Sequence, residues 1–270
     1  MRIGSRDFAT TGHTYIMGIL NVTPDSFSDG GKFNQIDAAL KHAEEMIRDG
    51  ADVIDIGGES TRPWGYTKIS DEEETGRVVP VIEAVKKEFG IPISVDTYKS
   101  GVAEAAAQAG ADLINDIWGL KYDPHMSEVI AKSGLACCLM HNRDNTEYRN
   151  FMEDVKQDLR ETIVLAKAAK IADDKIILDP GVGFAKSYEN NLEVIRRLKE
   201  FNELKYPVLL GTSRKSVIGL TLDLPAAERV EGTIVTTVMA VEAGCMFVRV
   251  HDVKENHRAI QMAEAILYRK

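Results

Sequence analysis

The sequence contains no run of the roughly eighteen apolar residues that a membrane-crossing helix needs, and no block of lysines and arginines. The first absence removes a helical membrane protein from consideration. The second, together with a formal net charge of −9, removes nucleic-acid backbones and anionic membranes as partners, because both demand a basic footprint. Cysteine is scarce: three in 270 residues, two of them adjacent as Cys137-Cys138. That spacing suits neither a disulfide framework nor a metal site, and reads as buried, reduced thiols in a cytoplasmic protein. The opening MRIGSRDFATTGHTYIMG lacks the long apolar segment of an export signal. Low-complexity tracts, linkers and shifts of composition are also missing, so one domain over residues 1–270 is expected.

What is present is alternation. Short apolar runs at Ile16–Val22, Val53–Ile56, Ile93–Val95, Leu113–Asn115, Ala136–Met140, Ile176–Leu178, Val208–Leu210 and Phe247–Val250 read as strands. Between them, apolar residues at three- and four-residue spacing predict helices over Ile36–Arg48, Asp71–Phe89, Gly101–Ala109, Met126–Lys132, Phe151–Ala169, Asn190–Phe201, Ala226–Ala243 and Val253–Tyr268. A further short helix, Lys215–Leu220, enlarges the seventh unit. Strands that are apolar throughout suit a parallel sheet covered on both faces. Eight repeats, with no GxGxxG fingerprint after the first strand, favour an α/β fold of the closed (β/α)8 TIM-barrel type over an open doubly wound sheet.

The residues that close the strands carry the chemical information. In order they are Asn21; Asp55 followed by Gly57-Gly58-Glu59-Ser60-Thr61-Arg62; Asp96; Asn115-Asp116; His141-Asn142; Asp179; Ser213-Arg214-Lys215-Ser216; and Arg249 with His251. A barrel brings all these ends to one face, where barrel enzymes place their chemistry. Taken singly, each has a bland explanation: an aspartate after a strand is often a helix cap, Arg249 an ion-pair partner, His141 or His251 a satisfied core histidine, Asp55 a structural group. Their coincidence on successive strands points to a cavity. A buried carboxylate matches two parallel N–H donors, such as the aminopyrimidinone edge of a pterin or guanine. Arginine and histidine suit phosphate oxygens. The implied ligand is a flat heterocycle carrying phosphate.

The stretches MGILNVTPDSFSDGG (Met17–Gly31), DIGGESTRP (Asp55–Pro63), SVDTYKS (Ser94–Ser100), INDIWG (Ile114–Gly119), DPGVGFAKS (Asp179–Ser187), GTSRKSVIG (Gly211–Gly219) and VRVHDV (Val248–Val253) resemble the dihydropteroate synthase family of pterin-binding barrels, in the right order over nearly the whole chain. The resemblance implies a TIM barrel, usually a homodimer, that condenses 6-hydroxymethyl-7,8-dihydropterin pyrophosphate with 4-aminobenzoate in the presence of Mg²⁺. It places Asp96, Asn115, Met140, Asp179, Phe184 and Lys215 around the pterin, and Asn21, Thr61, Arg62, Arg249 and His251 on the pyrophosphate. Asn21 also reaches the metal. It gives 4-aminobenzoate to Phe27, Pro63, Lys215 and Ser216. The catalytic residues expected, on a dissociative route, are Asp96, Lys215 and one acid of the first loop, Asp29 ahead of Asp25. One departure follows Pro63, where Trp64-Gly65-Tyr66 makes the loop apparently one residue longer than the family's usual form.

Two rival readings share parts of this pattern. A methyltetrahydrofolate-dependent methyltransferase shares the barrel and similar acids but has no pyrophosphate to hold. A catalytically inactive barrel that binds only pterins or a protein partner would have no reason to retain the pyrophosphate groups.

Overall fold

The computed structural model describes residues 1–23, 32–60 and 68–268. The chain opens with a small antiparallel hairpin, β1 (Arg2–Ile3) and β2 (Arg6–Asp7). Gly4 makes its turn at φ +57°, and a Cβ there would meet the Asp112 carboxyl at 2.6 Å, so the position needs glycine on both counts. Eight parallel strands follow: β3 (Tyr15–Asn21), β4 (Val53–Gly57), β5 (Ile93–Asp96), β6 (Leu113–Asp116), β7 (Ala136–Met140), β8 (Ile176–Asp179), β9 (Leu209–Leu210) and β10 (Phe247–Val250). Their order is β8-β7-β6-β5-β4-β3-β10-β9, and a parallel bridge between Leu178 and Val208 joins the two ends. The sheet is therefore closed, as the eight-fold alternation predicts.

The helices are α1 (Lys32–Asp49), α2 (Asp71–Glu88), α3 (Ser100–Ala109), α4 (Met126–Ser133), α5 (Phe151–Ala168), α6 (Tyr188–Arg196), α7 (Ser216–Leu222), α8 (Val230–Ala243) and α9 (Val253–Tyr268). Helix α2 shows how local sequence sets an end. The Ser70 hydroxyl accepts from the Glu73 amide, four acids fill the first turn and Lys86-Lys87 the last, all of which complement the helix dipole. The seventh unit is enlarged as expected, with α7 inserted before α8. Helix α1 starts four residues before the predicted Ile36, and two other differences from the sequence reading change the type of helix. The segment predicted as one helix over 190–201 divides into α6 and a 3₁₀ helix, Leu198–Leu204, and the helix predicted from Ala226 begins at Val230 after a 3₁₀ turn, Ala226–Glu228.

Alternation along the strands sorts the core into two parts. Ile54, Ile56, Ile93, Val95, Ile114, Cys137, Leu139, Ile176 and Leu178 point outward and pack beneath the helices. Met17, Val53, Leu113, Ala136, Cys138, Ile177, Leu209 and Phe247 fill the barrel interior, where Ile3 and Phe8 of the N-terminal segment join them. Cys137 and Cys138 thus lie on opposite faces of β7, free and buried, and burial pushes both thiols far up. No helix among the described residues is long and apolar enough to cross a membrane.

Candidate active site

The parity that sends isoleucines outward turns the next residues inward at the C-terminal end of the barrel. Register then fixes neighbours: Asn21 pairs with Gly57, Gly57 with Asp96, Asp96 with Asn115, and Met140 with Asp179. A methyl group built on Gly57 would lie 3.5 Å from the Asp96 Cβ and 3.6 Å from Asn21 Oδ1, so the bare glycine leaves these two side chains facing one space. Across the barrel, a methyl built on Gly211 would lie 3.6 Å from Asp179 Oδ2, 3.8 Å from Lys215 Nζ and 3.9 Å from the Arg249 Cβ. Asp179, Lys215 and Arg249 meet there.

Arg249 is the hub. Its Nε donates to Asp55 Oδ2 at 2.5 Å and its Nη2 to Asp96 Oδ2 at 2.6 Å. Asp55 is the structural group that anchors it, and Asn115 Nδ2 donates weakly to the same Asp55 oxygen at 3.4 Å. Two buried carboxylates thus share one guanidinium. Burial pushes Asp96 up to about 7 against the pull of Arg249, with Asp55 adding to the rise. Among the described residues, the buried polar side-chain atoms without a partner are Asp55 Oδ1, Ser94 Oγ and Asp96 Oδ1. Asp55 pairs with Ser94 in the register, so all three lie on the inner face of β4 and β5. Buried polar atoms without a partner carry a desolvation cost until one arrives, which is the state expected of a recognition surface.

Asp179 accepts from the Gly181 amide at 2.7 Å through Oδ1, and burial raises its pKa although Lys215 opposes this. Lys215 donates to the Val182 carbonyl at 2.5 Å and stands 4.8 Å over the Phe184 ring. Burial pushes Lys215 down to about 8 while Asp179 pulls the other way. Met140, Tyr98 and Ile117 form a small apolar cluster at this end, separate from the main core, against which Trp118 and Phe184 pack. One wall is apolar and aromatic, and the opposite groups are charged.

His251 is tied to the loop after β9: its amide donates to Ser213 Oγ at 3.1 Å and its Nδ1 is 3.0 Å from the same hydroxyl. Arg214 grips Asp252 alongside. Ser216, the first residue of α7, is exposed. Asn21 is exposed at the end of β3. Among the described residues no three His, Cys, Asp or Glu side chains converge as a metal cage. A lone amide oxygen suits instead an ion held mainly by phosphate oxygens and water, as Mg²⁺ commonly is. Asp29, Phe27, Thr61, Arg62 and Pro63, together with Trp64, lie outside the described residues.

Sequence reasoning passed over three groups. Ser213 closes its strand in the sequence reading without an assigned role, and Asp252 is the neighbour of His251; adjacency is the signal for both. The Glu59–Lys99–Glu74 cluster joins distant segments: Lys99 Nζ donates to Glu59 at 2.8 Å, Glu74 at 2.7 Å and the Ile69 carbonyl at 2.7 Å, and Tyr98 OH donates to Glu59 at 2.6 Å. Lys186 was quoted within a motif but given no role; its Nζ lies 2.8 Å from His141 Nδ1.

A closed barrel that gathers acids, an amide, a lysine and an arginine beside an aromatic wall is the architecture of an enzyme for flat nitrogen heterocycles. Residues 17–251 match the family described as pterin binding enzyme. The chain is 62% identical, over all 270 residues and the whole of the relative, to the dihydropteroate synthase of Clostridium beijerinckii. It superposes with a TM-score of 0.92 and 51% identity on the dihydropteroate synthase of Clostridium difficile solved in the presence of pteroic acid, each chain covered completely. The Xanthomonas albilineans dihydropteroate synthase solved with 4-aminobenzoic acid gives 0.91 and 40% identity over 96% of this chain and 94% of that one. The chain belongs to the pterin-binding enzymes and, within them, to the dihydropteroate synthases.

Proposed function

We propose that this transferase joins 6-hydroxymethyl-7,8-dihydropterin pyrophosphate to 4-aminobenzoate, releasing pyrophosphate and 7,8-dihydropteroate by a dissociative route. The observation that carries this reading is the in-register layer at the barrel mouth. There, Asp96 with its unpaired Oδ1 stands beside Asn115, facing Asp179 and Lys215. In the proposed arrangement the Asp179 carboxylate accepts the two parallel N–H donors of the ring, Lys215 donates to the ring carbonyl, and Met140 and Phe184 cover its faces. Arg249 and His251 take phosphate oxygens, with Thr61 and Arg62. Phe27, Pro63 and Ser216 border 4-aminobenzoate.

The dihydropterin ring delocalises positive charge on its methylene carbon, so departure of pyrophosphate before attack is the favourable order. Negative charge fixed nearby, from Asp96 and from Asp29, offsets that cation in the transition state. Mg²⁺, when bound, supplies charge neutralisation on the departing pyrophosphate. Asn21 would offer it an amide oxygen.

We also propose a homodimer in the cytoplasm. Helices α8 and α9 pack side by side and expose Val235, Val238, Met262 and Ile266, an apolar stripe of the kind that a second copy covers. The three free thiols suit a reducing compartment. The deciding experiment mixes the purified protein with both substrates and Mg²⁺ and follows dihydropteroate by chromatography. Product formation only when all components are present is expected, and none at any ratio of substrates would overturn the reading.

A further inference from the structure

A chain of polar side chains runs behind the turn that follows β8, away from the residues assigned to the ring. Arg143 holds Asp158 through Nε at 2.5 Å and Nη2 at 3.1 Å. Asp158 Oδ2 lies 2.9 Å from Nε2 of His141, which is only 2% exposed. His141 Nδ1 lies 2.8 Å from Lys186 Nζ, which also donates to the carbonyls of Gly181 at 2.9 Å and Phe184 at 3.1 Å.

The geometry of this chain orders its protons. Although burial works the other way, hydrogen bonds from His141 and Arg143 hold the Asp158 carboxyl well below its ordinary range, so it is ionised and can only accept. Burial, reinforced by the Lys186 charge, pushes His141 down to about 4, so the ring is neutral near pH 7. A neutral imidazole facing a carboxylate carries its proton on Nε2 and leaves Nδ1 as an acceptor. Lys186 Nζ then faces three acceptors, the number of N–H bonds in its ammonium form, which these contacts favour although burial pushes the group down to about 7. None is left for a ligand.

What these bonds hold is the wall of the cavity. Gly181 and Phe184 bound a turn that supplies the Val182 carbonyl to Lys215, the Gly181 amide to Asp179 and the Phe184 ring beneath Lys215. The turn has no slack on its other side. Gly181 sits at φ +71°, and a Cβ there would be 2.0 Å from the His141 carbonyl oxygen. We propose that Lys186, oriented by His141, Asp158 and Arg143, is a positioning residue for pterin recognition. It fixes the Gly181–Phe184 turn at the setting in which Asp179, Lys215 and Phe184 present to one ring, and it does not touch the ligand. The inference rests on the ring placement proposed above.

The test uses the full-length protein with Lys186→Met, which keeps the length and apolar character of the stem. Asp179→Asn serves as the control for ring placement, and both are read by calorimetry with 6-hydroxymethyl pterin. With three donated bonds removed and other ties to the turn intact, Lys186→Met weakens the pterin about tenfold. The KM for 4-aminobenzoate at saturating pterin pyrophosphate changes less than the pterin affinity, because the turn reaches Lys215, which the two pockets share, only through the Val182 carbonyl. Asp158→Asn supplies a second reading. An amide can donate to His141, so ¹⁵N NMR shows the wild-type Nε2-protonated ring losing its single tautomer, and pterin affinity falls in the same direction. Combined with Lys186→Met, the losses are less than additive. Unchanged pterin affinity in Lys186→Met, with a clear loss in Asp179→Asn, overturns the role of Lys186. Unchanged affinity in both overturns the ring placement, and the inference with it. Should Lys186→Met fail to fold, a wild-type ring protonated on Nδ1, or Asp158→Asn binding pterin normally, overturns the proposal.

Discussion

The two ends of the barrel are built from the same strands and hold opposite chemistry. At the N-terminal end the inward positions are Met17, Val53, Leu113 and Phe247, with Ile3 and Phe8 completing the cluster. Two steps along β4 and β10 the inward positions become Asp55 and Arg249, and β5 adds Asp96 beyond Ser94. Along the same strands the inward side chains change from apolar to charged. Stability and chemistry are therefore separable along the barrel axis, and a buried ion network is tolerated because the apolar end supplies burial at roughly 25 cal/mol per Å².

The sharpest way to break this division is Arg249→Ala. It leaves Asp55 and Asp96 buried without their shared cation, and removing one partner of a buried ion pair costs about 3–5 kcal/mol. Urea unfolding should show that loss, and kcat/KM should fall by about two to three powers of ten, the scale of losing one transition-state donor. Adding Asp55→Asn should recover stability and leave activity low. Recovery of both would mean that Arg249 serves only the fold.

At the other end, Phe247→Ala opens a cavity at a fully buried ring and should cost about 3–5 kcal/mol in the same unfolding experiment. Below its lowered melting temperature, KM for both substrates should match the wild type. A shift in either would show that the apolar end reaches into catalysis, and the separation would fail.

Asp179→Asn tests the polar end with less disturbance. An amide offers a single acceptor to a ring edge with two donors, and hydrogen bonds to charged groups are worth about 1.5–3 kcal/mol. Pterin affinity should fall by one to two powers of ten in calorimetry, with the melting temperature near that of the wild type. A large loss of stability without a loss of affinity would move Asp179 from the site to the scaffold.

How much of this was legible in the sequence follows from how local each feature is. The eight strands announce themselves because parallel strands are apolar on both faces, and the strand-closing residues appear in chain order. The β1–β2 hairpin was not seen, since two-residue strands carry no period to detect. The helix predicted over 190–201 concealed a change of type: Leu198, Phe201 and Leu204 recur every third residue and are all buried, a spacing that fits the tail of an α-helix and the eclipsed face of a 3₁₀ helix equally well. In the site, the residue types were readable and their partnerships were not. Arg249 and Asp55 are 194 positions apart, and Lys186 and His141 are 45 apart. Those pairs exist only once the barrel has closed.

The smallest effect, and the most specific to the polar end, concerns Lys215. Burial depresses its pKa from 10.5 to about 8, with Asp179 and Asp96 opposing the fall and Arg249 adding to it. Below pH 8 the ammonium donates to the ring carbonyl with its charge; above it a neutral amine remains. The difference between charged and neutral hydrogen bonds is about 1 kcal/mol, so pterin affinity should fall about fivefold as pH rises through 8. Folding stability moves the other way. Between pH 8 and 10.5 the unfolded chain holds a proton that the native Lys215 has released, so this residue's contribution to stability rises with pH, by at most about 1.4 kcal/mol per pH unit. Wild type minus Lys215→Met, measured by urea unfolding and by calorimetry at pH 7, 8, 9 and 10, should show stability climbing while affinity drops. The two curves rising together would mean that the amine, and not the ammonium, meets the ring. A flat difference in both would place the Lys215 proton outside the site's chemistry and leave Asp179 alone to orient the pterin.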